Sequence, residues 1–277
     1  MSNILEVEDL NVVFPSHSGE TLAVRNAGFT LGRERLGIVG ESGSGKSTTA
    51  RALLGLISPP GIVRAKAMRF KGQNLLGLQD REWQTLRGRH ISMVMQDPKY
   101  SLNPVMKVGL QVQETYLLHH NAGNAEAKRR ALAMLEAVKI RDPDLVFHLY
   151  PHQLSGGMGQ RVMIAMMLIA EPELLIADEP TSALDVTVQN EVLRILDDLV
   201  TDRGMGLIFI SHNLTIVSSF CDRVLVMYGG KIVEECKADE LYLAKHPYTQ
   251  ALLKAVPTVD HPVSELSVVT RDPEWLR

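Results

Sequence analysis

The sequence predicts an α/β domain organised around a mostly parallel sheet. Three observations carry that expectation. Compact apolar strands recur at 36–40, 91–95, 174–177 and 206–210. Helical periodicity fills the intervals between them, and strands alternating with helices place helices over a parallel sheet. The first of these strands also runs straight into a glycine-rich loop that opens a helix.

Taken in order, residues 4–13 and 22–31 read as short strands around a Ser/Gly-containing turn at 15–20. The strand at 36–40 leads into the loop, and a helix over 46–56 is stopped by Ser58-Pro59-Pro60-Gly61. After the strand at 91–95 the texture becomes helical with breaks. Ala127, Ala131, Met134, Leu135 and Val138 recur at helical spacing, and Asp142-Pro143 and Tyr150-Pro151 punctuate the end of this lobe. Strand–helix alternation resumes from 161. Val188, Val192, Ile195, Leu196 and Leu199 form one helical face that ends near Gly204. Gly229-Gly230 between strands at 224–228 and 231–235 is a two-residue hairpin signal. Residues 258–277 are polar and proline-interrupted and read as a tail.

A chain of 277 residues buries one large core, or a core with a lobe inserted into it. The net charge of -3 lacks the basic footprint of a nucleic-acid binder. The two cysteines, Cys221 and Cys236, form no CxxC pair, which argues against a disulfide framework and a structural zinc or iron–sulfur site. A reducing, cytosolic setting fits. The first residues lack the basic start and apolar stretch of a signal peptide. The longest apolar run, 162–170, falls far short of the ~20 residues of a membrane helix. The chain is therefore expected not to span a bilayer, though docking onto a membrane protein stays open.

Gly40-Glu41-Ser42-Gly43-Ser44-Gly45-Lys46-Ser47 matches GxxxxGK[ST] completely, after a strand and before a helix, and Thr48 follows. Glycines let backbone N–H groups converge on phosphate oxygens where a Cβ would block the approach. Lys46 supplies a mobile cation for the β- and γ-phosphates, Ser47 a hydroxyl for Mg2+, and the helix points its positive end at the nucleotide. The alternative is a flexible Gly/Ser turn, which the flanking elements disfavour. Leu174-Leu175-Ile176-Ala177-Asp178-Glu179 is an apolar strand ending in two acids, at the edge where α/β folds put ligands. Asp178 is expected to hold Mg2+ through water, and Glu179 to orient and deprotonate the attacking water. Taken alone, two solvated acids opening a turn before Pro180 would explain this stretch as well.

Leu154-Ser155-Gly156-Gly157-Met158-Gly159-Gln160-Arg161 precedes Asp178 by a short interval. Here the sequence resembles the ATP-binding cassette family, whose signature is LSGGQ followed by a helix. Ser155, Gly156 and Gly157 suit a helix N-terminus that exposes N–H groups to an anion, although simple capping would use the same residues. Against simple capping stands the order of the phosphate loop, Gln96, the signature, Asp178-Glu179, Ser182-Ala183-Leu184-Asp185 and His212. The resemblance implies a P-loop NTPase of the cassette type, with a RecA-like core, a small antiparallel β-subdomain and an inserted helical subdomain at approximately 97–160. It implies an ATPase domain over 1–245 and a C-terminal extension and tail over 246–277.

The same resemblance implies roles. Gln96 would sense the γ-phosphate and Mg2+, Asp185 would lie in the loop that communicates between two ATP sites, and His212 would contact the γ-phosphate. Phe14 is the candidate for stacking on adenine, or else fills the core of the small sheet. In the family the signature of one domain completes the ATP site of another. Ser155 and Gly157 would thus act on a neighbour's nucleotide, and Lys46 and Glu179 on this chain's own.

Whole phrases are similar to the dipeptide, oligopeptide and nickel importer subfamily: residues 37–48, Met95-Gln96-Asp97-Pro98 with Ser101-Leu102-Asn103-Pro104, residues 150–158, and His246-Pro247-Tyr248-Thr249-Gln250-Ala251-Leu252-Leu253. The last phrase reads equally as a Pro-started amphipathic surface helix without chemistry. Met158 stands where the signature usually has Gln, Gly159 where a basic residue is common, and Asn213 where Asp is usual. The C-terminal cysteine cluster of some relatives is missing.

Membership would imply ATP and Mg2+ as cofactors. The implied partners are a second ATPase subunit (a different chain, with a homodimer as the alternative), two membrane permeases and, indirectly, an extracytoplasmic binding protein. It would also imply a peripheral position on the cytoplasmic face of the inner membrane, and no nucleic acid. The cargo would be a peptide or similar small solute, alternatively nickel or another metal chelate. A soluble, non-transport cassette ATPase on ribosomes or DNA is disfavoured, since those carry two cassettes or long coiled-coil insertions. A P-loop module without hydrolysis is disfavoured because Glu179 is present.

Overall fold

A computed structural model describes residues 3–16, 19–182, 184–255 and 273–276. The chain divides into two compact units, one drawn from Met1–Leu78 and Ile208–Arg277, the other from Gln79–Leu207.

In the first unit, β1 (Leu5–Ser16) and β2 (Gly19–Leu31) form a long antiparallel pair, from Leu5↔Leu31 to Ser16↔Gly19. Both outrun the lengths expected from pattern. Register shifts between Val7 and Val13, with Asp9 and Asn26 at positive φ, let the pair continue where strict alternation breaks. The turn residues 17–18 lie outside the described residues. β3 (Arg35–Val39) is almost wholly buried and feeds α1 (Lys46–Leu53). That helix stops before the expected residue 56, because Gly55 turns the chain at φ 61 and its N–H closes on the Ala52 carbonyl.

Three strands follow that sequence pattern did not reveal: β4 (Ile62–Arg64), β5 (Ala67–Phe70) and β6 (Gln73–Asn74). They are too short and too mixed in polarity to announce themselves. What makes them strands is the edge of β1, on which β4 and β5 both pair antiparallel. The small sheet therefore runs β2-β1-β5-β6, with β4 also on β1.

The second unit opens with α2 (Asp80–Leu86), started by a capping box in which the Gln79 N–H donates to the Glu82 carboxylate at 2.8 Å. β7 (Ile91–Val94) leads to α3 (Pro98–Ser101), α4 (Val108–His119), α5 (Asn124–Ala137) and α6 (Pro143–Phe147). The expected stripe Ala127, Ala131, Met134, Leu135 and Val138 is buried throughout. Asp142 caps α6 by accepting the Leu145 N–H at 3.1 Å, so Asp142-Pro143, expected to punctuate the end of the lobe, starts a helix. α7 (Gly156–Leu168) and the buried β8 (Leu174–Asp178) follow, β8 lying parallel to β7 with Val94 opposite Ala177. α8 (Val186–Arg203) buries Val192, Ile195, Leu196 and Leu199, and ends at Gly204 with φ 58.

β9 (Gly206–Ile210) carries the chain back to the first unit, where α9 (Leu214–Phe220), β10 (Arg223–Tyr228) and β11 (Lys231–Lys237) follow. β10 is parallel to β3, and the Ser211 N–H reaches the Ile38 carbonyl at 3.2 Å. β10 and β11 form the expected hairpin, with both turn glycines at positive φ as a two-residue type I′ turn requires. α10 (Pro247–Ala255) is not a plain surface helix, since Tyr248 and Thr249 are fully buried. Of the expected tail, residues 258–272 and 277 lie outside the described residues. Pro273–Leu276 forms a 3-10 turn that packs on β10 and α10 through Trp275. No helix among the described residues is long and apolar enough to cross a membrane.

Candidate nucleotide site and signature face

The phosphate loop is shaped by what its glycines must avoid. A Cβ on Gly40, at φ 149, would lie 2.2 Å from the Met227 carbonyl, and one on Gly45, at φ 104, would lie 2.5 Å from the Ala23 carbonyl. Both are backbone atoms that cannot yield, so only glycine fits. Ser44 donates its N–H to the Glu41 carbonyl at 3.1 Å, and its own carbonyl accepts from Gly230 at 3.1 Å. Lys46 is 5% exposed, with Nζ 2.8 Å from each of the Gly40 and Glu41 carbonyls. The loop is thus a backbone ring closed around one cation. Ser42 and Gly43 are exposed at its tip, and Ser47 and Thr48 sit half-buried on the first turn of α1. Glycine where a Cβ would clash, a central ammonium and a helix N-terminus together suit a polyphosphate.

His212 is brought to this loop's neighbourhood by sheet pairing. It is exposed and immediately follows Ser211, whose N–H bonds to Ile38 two residues before Gly40. Asn213 accepts the Ile216 N–H at 3.2 Å and so caps α9. Asn and Asp cap equally well, which gives the physical reason the departure from Asp is tolerated here. Phe14 is half-buried on β1, its ring edge 2.8 Å from where a Gly61 Cβ would stand.

In the second unit Asp178 is 6% exposed at the end of β8, and Glu179 follows it. Because β7 lies beside β8, Gln96 just beyond β7 comes next to Glu179. Its Nε2 donates to Glu179 Oε2 at 3.3 Å. Glu179 has φ 48, a left-handed conformation that costs a non-glycine residue about 1–2 kcal/mol. Strain of this kind persists only where the surrounding structure over-determines the backbone. Within this unit Asp178 and Gln96 offer oxygen donors of the hard kind that Mg2+ takes.

Ser155 and Asp185 cap α7 and α8 by accepting N–H groups from Met158 at 3.3 Å and Val188 at 3.0 Å. The two helix N-termini lie side by side: Ser155, Gly156, Gly157, Asp185 and Val188 line one cleft of about 330 Å³. Gly157 permits this closeness, since a Cβ there would lie 2.6 Å from Val188 Cγ1. Ser155, Gly156 and Asp185 are exposed. Capping does not exhaust Ser155, because a hydroxyl that accepts one N–H still has its own proton to donate. Gly159 is buried beside Pro98, which would stand 3.6 Å from an added Cβ, an ordinary van der Waals distance. Ala183, within the expected communication loop, lies outside the described residues.

Gly157→Ala is expected to push Val188 aside and destabilise the unit by about 1–3 kcal/mol, because the β-branched side chain has few rotamers to retreat to. Thermal melting checks this; an unchanged Tm would show that the two helix ends are not in close contact. Burial pushes the Cys221 thiol up to about 12, far from a reactive thiolate. Sequence reasoning missed one residue at the loop. Tyr248 Oη accepts the Glu41 N–H at 2.9 Å across 207 residues, a relation no local spacing signals.

The ABC transporter family model matches residues 24–182. The chain is 48% identical over 272 residues to the oligopeptide transport ATP-binding protein OppD of Salmonella typhimurium, covering 98% of this chain and 81% of that protein. It is 47% identical to OppD of Bacillus subtilis, covering 94% and 74%, and 45% identical to the dipeptide transport ATP-binding protein DppD of Lactococcus lactis, covering 98% and 78%. Among solved structures, the cassette MJ0796 in a dimeric post-hydrolysis state with ADP and Pi superposes with a TM-score of 0.76 at 24% identity, over 84% of this chain and 98% of that one. CbiO1 of Clostridium perfringens superposes at 0.74 and 27% identity, over 88% and 92%. A complete phosphate loop, an apolar strand ending in Asp178-Glu179 and a capped signature helix are what these relationships lead one to expect, and the chain belongs to the ABC transporter family as one of its ATP-binding, ATP-hydrolysing subunits.

Proposed function

We propose that the chain energises the import of peptides or a similar small solute through a membrane transporter, working opposite a second cassette. The observation that carries the cargo class is 48% identity over nearly the whole chain with a protein named for oligopeptide transport. The ATP phosphates lie in the Gly40–Thr48 loop, with Lys46 turned from the loop carbonyls onto the β- and γ-oxygens and Phe14 against adenine. Ser47, Gln96 and Asp178 would hold Mg2+, which when bound would neutralise phosphate charge. Glu179 takes a proton from the attacking water while the Gln96 amide steadies its carboxylate. His212 contacts the γ-phosphate.

The exposed face of Ser155, Gly156, Gly157 and Asp185 serves the nucleotide of the facing cassette. Two helix N-termini and the outward proton of Ser155 favour an anion there. Phosphoryl transfer depends on positioning and charge neutralisation, so closing two half-sites supplies most of what the reaction needs. The closed, ATP-bound pair and the open, ADP-bound pair are the states that hydrolysis interconverts. The helical lobe of approximately 97–160 passes the motion to two permeases at the cytoplasmic face of the inner membrane. The second cassette is a different chain, and a binding protein outside the membrane delivers the solute.

Purified alone, the chain is expected to hydrolyse ATP slowly and to be stimulated at least tenfold by its permeases and sister ATPase. Full turnover in isolation would count against the heteromeric assembly. Gentle solubilisation of membranes and identification of what co-purifies tests the whole reading: two permeases and a second cassette support it, and a ribosome or DNA partner overturns it.

A further inference from the structure

We propose that Tyr248, on the C-terminal helix, is a positioning residue for the phosphate loop, holding it in its nucleotide-ready shape through the Glu41 N–H. The inference rests on the phosphate-loop reading above and extends the nucleotide site to a segment outside the 24–182 family match.

Tyr248 has no exposed surface, and its hydroxyl accepts the Glu41 N–H at 2.9 Å. Its ring packs against Tyr228 at 4.4 Å between centroids and against Trp275 at 5.5 Å, and Trp275 in turn meets Tyr228 at 5.4 Å. The cluster is fastened from several sides. Glu234 Oε1 accepts the N–H groups of Lys245 at 2.6 Å and His246 at 3.2 Å, fixing the entry to α10 on β11. His246 Nδ1 accepts the Tyr248 N–H at 3.2 Å. The Lys231 ammonium donates to the Leu276 carbonyl at 2.6 Å, which secures the turn that carries Trp275.

The loop meets this assembly along one side. Met227, beside Tyr228, provides the carbonyl that excludes a Cβ at Gly40, and the Gly230 N–H bonds to the Ser44 carbonyl. Glu41 and Ser44 are therefore both pinned from the C-terminal third of the chain. A glycine-rich loop left to itself samples many conformations, and a nucleotide would have to order it on binding. Committing the Glu41 N–H to a buried, rigid acceptor fixes the loop's first turn beforehand. Binding then orders less, so the tyrosine acts on affinity rather than on the bond-breaking step.

Tyr248→Phe keeps the ring and removes the hydroxyl, and with it the acceptor of the Glu41 N–H. Titration of the full-length chain with magnesium and adenylyl-imidodiphosphate is expected to show affinity about 5–10-fold weaker, the scale of a lost hydrogen bond at a donor that must re-pair. Within the transporter, the KM for ATP rises by a similar factor while kcat changes less than about twofold, the pattern of lost binding without lost transition-state contact. Amide exchange at Glu41 accelerates while Tm holds. Wild-type affinity in this variant overturns the proposal. So does a drop in Tm with Glu41 exchange unchanged, because the tyrosine would then be a packing residue only. Lys46→Ala, run alongside, separates the two readings: unchanged affinity there removes the phosphate-loop assignment itself, whereas weakened affinity there with wild-type behaviour of Tyr248→Phe removes only the tyrosine's role.

Discussion

Glu179→Gln is expected to bind ATP as tightly as the native chain and to lower steady-state hydrolysis by about 10²–10⁴-fold, the usual contribution of a positioned general base. The substitution is nearly isosteric. The amide oxygen can still accept from Gln96 Nε2, which now stands 3.3 Å from the carboxylate, so the local geometry is kept and only the proton acceptor is lost. With hydrolysis blocked, the ATP-bound pair has no route back to the open state. Mixed with its sister cassette, the variant should accumulate as a dimer with MgATP in size-exclusion chromatography with light scattering, and disperse with MgADP. Ordinary turnover in this variant would take the base role away from Glu179 and leave its left-handed backbone unexplained.

Lys46→Ala is expected to weaken MgATP binding by about 10–100-fold, as loss of a charge-assisted hydrogen bond worth 1.5–3 kcal/mol implies. Turnover at ordinary ATP concentration should fall to background. The lysine is 5% exposed and bonded to the Gly40 and Glu41 carbonyls, so it is already inside the ring of backbone proposed to receive phosphates. Removing it strips the loop both of its positive charge and of the donor that draws those two carbonyls together. Calorimetric titration reads the effect directly, with a melting curve to confirm that the chain remains folded. An unaffected variant would overturn the phosphate-loop assignment.

Much of the site was legible because its chemistry is local. The phosphate loop occupies consecutive residues whose glycines are dictated by close backbone approach, and the acids at 178 and 179 end a strand apolar enough to be seen as buried. The signature could be read in the same way, as a cap and two small residues opening a helix. Other features were hidden for equally physical reasons. β4, β5 and β6 exist because β1 offers an edge, not because three or four mixed residues prefer extension. The end of α1 came early because one glycine turned the chain. The departure at Asn213 has a structural account only once the helix is seen, since its side chain caps α9 as Asp would.

By itself the sequence determined the α/β class, the phosphate loop, the acids that end β8 and the order of motifs along the chain, since each is written in contiguous residues with their own steric or periodic requirement. Only the tertiary structure decided which distant groups meet. It set the Gln96 amide beside Glu179, laid the N-termini of α7 and α8 against one another at Gly157, and brought Tyr248 under the Glu41 N–H. Those meetings depend on strand pairing and core packing summed over the chain, and no local pattern encodes a contact between residues so far apart.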